Sequence, residues 1–155
     1  MKLFYTLTSP YARIARIFAL ESNLKYTDEC IDPNVLRTPD NPVLRYNCTG
    51  RIPTLVSDDT VVTETRSICR YMQSAGNGKS LLSETGDWRA ELMESTTISF
   101  LDGCALWTRE YRRNEATRSK WLISTERDRA QRTLDWFSSN ANIISCLLYT
   151  SDAAD

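Results

Sequence analysis

Three short stretches of this 155-residue chain combine residue types and positions that suggest chemistry: Ser9-Pro10, Ile52-Pro53 and Glu64-Thr65. Serine is a favoured helix N-cap, and proline at the first helical position gives up an N–H that no helical carbonyl would have met, so Ser9-Pro10 marks a helix start. Ile52-Pro53 marks the start of a strand, and Glu64-Thr65 the start of another helix. If the three turns share one end of a sheet, a small peptide lying there meets all of them. Other chemistries are excluded. With no histidine in the sequence, Ser-His-Asp and Cys-His nucleophiles, histidine metal sites and histidine bases are absent. Cys30, Cys48, Cys69, Cys104 and Cys146 stand singly without C-x-x-C spacing, which reads as reduced thiols, most of them small buried hydrophobes.

Hydrophobic residues make up 41% of the chain and charged ones 25%, a globular composition, and a net charge of -1 gives no field that would favour nucleic acid or an anionic membrane. The N-terminal stretch MKLFYTLTSPYAR is too short in apolar residues for a signal peptide, so a cytoplasmic location is expected and the sequon Asn47-Cys48-Thr49 reads as a chance match. Gly78-Lys79-Ser80 resembles the end of a P-loop, but the first glycine of that motif falls on Gln73 and the segment follows a helix, so an exposed linker is the better reading. Arg109, Arg112 and Arg113 alternate with Glu110 and Glu115, as in an exposed helix end.

The elements that must position the three turns follow from periodicity. Met1 to Thr6 reads as a buried strand. Tyr11, Ile14, Ala15 and Phe18 then recur at helical spacing to about Glu21. Leu24 to Ile31 is a candidate second strand, followed by a loop rich in Pro, Asn and Asp with a short helix near Val43 to Tyr46. A third strand runs from Arg51 to Val56. Asp58-Asp59 supplies a turn, Val61 to Thr63 a fourth strand, and Ser67 to Ala75 a helix. This β-α-β, β-β-α order is the plan of a thioredoxin-like α/β domain over residues 1–76, in which the three turns converge. After a linker at 77–86 the pattern becomes purely helical, so residues 87–145 form a partial all-α domain. Asp87 caps a helix striped by Phe100, Cys104, Trp107 and Tyr111, and Ser119 one striped by Ile123, Ala130, Leu134 and Phe137.

At these residues the chain resembles the glutathione S-transferase family, bacterial cytosolic members in particular. The resemblance rests on T-S-P-Y-A-R at 8–13, N-C-T-G-R-I-P-T-L at 47–55, D-D-T-V-V-T-E-T-R-S-I at 58–68, and L-D-G with R-S-x-W-L-I further on. It implies a glutathione transferase active in detoxification, with glutathione as co-substrate and no other cofactor, a small hydrophobic electrophile as second substrate, and a homodimer. The electrophile pocket is then expected between the first domain and the helix from Asp87 to about Arg113. The resemblance also implies a cis Ile52-Pro53 bond, with the Ile52 backbone pairing with the cysteinyl amide of glutathione like an added strand. A plain trans proline at a strand start is the alternative. Glu64 is implied to meet the γ-glutamyl ammonium, the Thr65 hydroxyl and nearby N–H groups its carboxylate, and Arg51 the glycyl carboxylate. Thr65 as only a helix cap, and Arg51 as only a solvated charge, are the blander alternatives.

Ser9 is then the catalytic candidate, and needs no base. A free thiol has a pKa of about 8.5, so only a few per cent is thiolate at neutral pH. A hydroxyl hydrogen bond to the anion contributes roughly 1.5 to 3 kcal/mol and a helix N-terminus roughly 0.3 to 1. At 1.36 kcal/mol per unit, that lowers the thiol pKa by about 1.5 to 3. Tyr5 is the rival donor and Thr8 a weaker one; the alternative for Ser9 is a simple N-cap. Two other functions compete: a noncatalytic binding protein of the same architecture, and a glutathione-dependent thiol-disulfide enzyme, which would want cysteine where Ser9 stands. Full-length relatives carry further helices, so a C-terminal truncation is expected. Residues 146–155, C-L-L-Y-T-S-D-A-A-D, read as a non-native tail, with the native part ending near Ser145.

Overall fold

The computed structural model describes residues 1–58, 60–76, 81–82 and 86–142. Asp59 of the expected turn, most of the linker with Gly78-Lys79-Ser80, and the tail with Cys146 lie outside the described residues. The chain divides into two compact units, Met1–Leu82 and Ser83–Asp155.

The first unit is a four-stranded thioredoxin-like sheet with helices. Its elements are β1 (Lys2–Tyr5), α1 (Pro10–Glu21), β2 (Thr27–Cys30), β3 (Thr54–Ser57), β4 (Thr60–Thr63) and α2 (Thr65–Ala75), with short 3₁₀ turns at Val35–Arg37 and Pro42–Arg45. The strand order is β2-β1-β3-β4. β1 and β2 are parallel, joined through α1, while β3 runs antiparallel to both β1 and β4. Side chains alternate across the sheet and divide the core in two. Leu3 and Leu55 pack with Ala15, Phe18 and Ala19 of α1 and Ile68, Cys69 and Met72 of α2; Phe4, Ile31 and Val43 form the second cluster.

Three elements differ from expectation, the first being β3, which begins at Thr54 rather than Arg51 and ends at Ser57. β2 covers only Thr27–Cys30, since Leu24 and Tyr26 serve as packing groups for the first cluster rather than as paired strand. α2 begins at Thr65, two residues before the expected Ser67, because Glu64 takes the N-cap position. The cysteines also need correction. None of the four described cysteines is in a disulfide, but only Cys69 is buried; Cys30 lies on the edge strand and Cys48 in a turn, where both are exposed.

The second unit is helical: α3 (Trp88–Tyr111), a 3₁₀ turn at Glu115–Thr117 and α4 (Lys120–Ser139). Asp87 caps α3 by accepting from Arg89 and Ala90 N–H, and Ser119 caps α4 by accepting from Leu122 N–H. Phe100 and Phe137 meet edge to face with ring centroids 6.3 Å apart, which ties the two expected stripes together. No helix among the described residues is long and apolar enough to cross a membrane.

Candidate functional site

Sheet register brings the three turns to one edge. Phe4 of β1 lies opposite Thr54 of β3, and Thr54 opposite Thr63 of β4. The turn after β1, the segment before β3 and the residues after β4 therefore leave the sheet at the same end. Strands are spaced by about 4.8 Å, so β1 to β4 spans roughly 10 Å, close to the reach of an extended tripeptide.

At the first turn, the Ser9 N–H donates to the Thr6 carbonyl (3.3 Å), and Ser9 caps α1 by accepting from Ala12 N–H on its Oγ at 3.2 Å. The cap uses the hydroxyl oxygen as acceptor, which leaves the proton to donate. Tyr5 has another environment. Its ring lies 4.2 Å from the Arg16 guanidinium, which pairs with Asp28 at 3.2 Å. Desolvation, and next the Asp28 charge, raise the phenol above its ordinary value. Its charged neighbours thus come from α1 and β2. Thr8 is exposed.

The second turn is held by two buried asparagines. Asn41 Nδ2 donates to the Leu36 and Gly50 carbonyls at 2.9 and 2.8 Å, and its Oδ1 accepts from Val43 N–H at 3.0 Å. Asn47 Nδ2 donates to the Arg51 carbonyl and to Thr54 Oγ1, at 3.2 and 3.0 Å. Gly50 has φ +61, and a Cβ there would come within 2.9 Å of Asn41 Nδ2, so a side chain is excluded on both counts. The Ile52–Pro53 bond is cis. The Ile52 side chain packs against the Phe4, Ile31 and Val43 cluster, and neither its N–H nor its carbonyl meets a partner among the described residues. Arg51 is exposed.

At the third turn, Glu64 has φ 67 and ψ 132 and makes no side-chain cap bond, while its carbonyl accepts from Ile68 N–H at 2.9 Å. A positive φ at a non-glycine residue costs on the order of 1 to 3 kcal/mol and gathers at functional sites. The helix therefore starts without spending the exposed carboxylate of Glu64. Thr65 is the first residue of the helix rather than its cap, and is 6% exposed. Nothing in the letter Glu announces this backbone state, and the roles of Asn41 and Asn47 depend on contacts remote from their own neighbourhood. Among the described residues no group of three or more cysteine or carboxylate side chains is placed to hold a metal.

A parallel β1-β2 pair extended by an antiparallel hairpin, with helix starts at one edge, defines a thioredoxin-like domain. Residues 8–75 match the family model of the glutathione S-transferase N-terminal domain. Among solved structures, a glutathione S-transferase from Methylobacillus flagellatus with glutathione bound is 26% identical, with a TM-score of 0.81 over 89% of this chain and 68% of that one. The fold is shared also by a family member from Pseudomonas fluorescens with bound glutathione (23%, TM-score 0.78, covering 90% and 71%). The same holds for a glutathione S-transferase from Methylobacterium radiotolerans in complex with glutathione sulfonate (23%, 0.78, 89% and 65%). The chain thus spans about two thirds of the length of these structures. No curated protein sequence gives a significant match. Residues 8–75 of the first unit thus match a glutathione S-transferase N-terminal domain, and the chain shares the fold of these transferases.

Proposed function

We propose that this protein binds glutathione along the edge formed by the three turns and transfers its thiolate to small hydrophobic electrophiles. The observation that carries this is the row Phe4, Thr54 and Thr63, which sets Ser9, Ile52, Glu64 and Thr65 at one end of the sheet. The Ser9 hydroxyl donates to the sulfur. The Ile52 backbone pairs with the cysteinyl amide, and the Glu64 carboxylate meets the γ-glutamyl ammonium. The Thr65 hydroxyl and the N-terminal N–H groups of α2 take the γ-glutamyl carboxylate, and Arg51 the glycyl one. The sulfur lone pair then forms a C–S bond at the electrophilic carbon, and the leaving group departs with its bonding electrons. The proton released by the thiol goes to solvent.

The ultraviolet absorbance of the thiolate, followed against pH for glutathione bound to the wild type and to Ser9→Ala, tests the central step. The midpoint is expected to lie below that of free glutathione, and to rise in the variant. An unchanged midpoint removes Ser9 from the chemistry. Retention on immobilised glutathione without turnover of any electrophile would instead favour a binding protein of the same architecture.

A further inference from the structure

The geometry points to Asn47 and Thr54 as positioning residues that together aim the Ile52 N–H at the ligand; we infer this from how they hold the peptide in front of it, and it rests on the reading of Ile52 given above. Both are buried, at 5% and 0% exposure. The Thr54 hydroxyl donates to the Arg51 carbonyl at 2.7 Å, and Asn47 Nδ2 donates to the same oxygen at 3.2 Å. Asn47 is itself fixed. Its other Nδ2 proton goes to Thr54 Oγ1 at 3.0 Å, and its Oδ1 accepts from the Thr49 N–H and hydroxyl at 3.0 and 2.8 Å. Every polar atom of that amide has a partner, so the side chain has one orientation.

The consequence lies in the Arg51–Ile52 peptide. A trans peptide is a rigid plane with C=O and N–H on opposite edges. Two donors hold the carbonyl oxygen from the buried side, so rotation of the plane is blocked and the Ile52 N–H is turned away from Asn47 and Thr54. That N–H meets no acceptor among the described residues. The Ile52 side chain, packed against Phe4, Ile31 and Val43, adds a third anchor. A single donor would leave the plane free to swing about that one bond. Two donors converging from different residues set a direction, and a donor set in advance binds its ligand without the entropy cost of ordering.

The test uses the full chain, with glutathione as the probe, and combines calorimetric binding with the amide proton resonance of Ile52. Thr54→Val keeps the shape and leaves Asn47 to satisfy the carbonyl; Thr54→Ser restores the donor; Asn47→Asp keeps the acceptor for Thr49 but loses both donors. The wild type is expected to bind, with the Ile52 amide shifting as glutathione is added. Thr54→Val and Asn47→Asp should bind roughly tenfold more weakly, with the Ile52 response lost, and Thr54→Ser should recover both. A merely structural role would lower the melting temperature and leave the affinity of the folded protein and the Ile52 shift unchanged. If Asn47→Asp fails to fold, the Thr54 pair decides alone. Wild-type affinity and an intact Ile52 response in Thr54→Val overturn the positioning role while glutathione binding stands. A wild-type chain that binds no glutathione overturns the glutathione reading itself, and this inference with it.

Discussion

Ser9 serves α1 with one half of its hydroxyl, the oxygen that accepts from Ala12 N–H at 3.2 Å, and leaves the proton to donate, on the proposed reading to a sulfur anion. Ser9→Ala removes both. The cap loss is expected to cost about 0.5 to 2 kcal/mol, seen as a lower denaturation midpoint. Loss of the charge-assisted bond should move the thiolate titration of bound glutathione up by about 1 to 2 pH units. The two effects are separable, since Ser9→Asp retains a capping oxygen and should recover stability while offering the sulfur no donor. Glu64 presents the reverse trade. Its φ of 67 is costly for any side chain. Glu64→Gly should therefore stabilise the fold by about 0 to 2.5 kcal/mol, because relief of about 1 to 3 is offset by the backbone entropy of glycine, about 0.5 to 1. The same change should abolish retention on immobilised glutathione. Denaturant titration and resin binding of Glu64→Ala and Glu64→Gly check this, since alanine loses the carboxylate but keeps the strain.

The helix caps show which elements were legible from sequence and why. Ser9, Asp87 and Ser119 each act through an N–H two or three residues away, so neighbouring letters suffice to place them. The α1 span of Pro10–Glu21 agrees with its apolar periodicity for the same reason. The positive φ of Glu64, the contacts of Asn47 and the burial of Glu110 were not legible. Their roles depend on a backbone state or on partners that periodicity does not encode. Glu110, which the alternating charge pattern makes an exposed helix-end residue, is 5% exposed. Its Oε1 accepts from Ser119 N–H at 2.7 Å, and its Oε2 lies 3.5 Å from Arg113, so the end of α3 holds the start of α4. Glu110→Ala strands a backbone donor and should cost the helical unit about 1 to 3 kcal/mol. Glu110→Gln keeps an acceptor and should lose less, as read by helical circular dichroism against urea. A second buried carboxylate lies between the same helices. Glu126 pairs with Arg129 at 2.7 Å and approaches Gly103, where a Cβ would come within 2.7 Å of its Oε2. Burial first, and the Glu126 charge second, raise the Cys104 thiol above its ordinary value. Its thiolate fraction at neutral pH is correspondingly reduced. Glu126→Gln removes the second cause, so alkylation of Cys104 at fixed pH should become faster; an equal or slower rate would contradict the coupling.

At the scale of the whole chain, buried apolar surface is unequally shared. Of the buried apolar side chains described, only Ala90 and Met93 belong to the second unit; the rest, from Leu3 to Met72, lie in the first. On α3 and α4, Leu92, Leu106, Trp121 and Leu134 are exposed, Trp121 to 73%. Burial of apolar surface is the main favourable term in folding, at roughly 25 cal/mol per Å², and helices with little of it open at low free energy. Amides of α3 and α4 should therefore exchange with solvent at least about tenfold faster than those of β1, β3 and α2, a difference of about 1.4 kcal/mol in opening free energy. Ligand sharpens the contrast, because Ser9, Arg51, Ile52, Glu64 and Thr65 all belong to the first unit. Glutathione at a hundredfold excess over its dissociation constant stabilises whatever binds it by about 2.7 kcal/mol. Hydrogen exchange with and without glutathione should show that gain in the slowest amides of the sheet and α2, with α3 and α4 exchanging at their ligand-free rates. Equal protection of both units would mean that they open as one cooperative body, and that the first unit does not carry the binding energy alone.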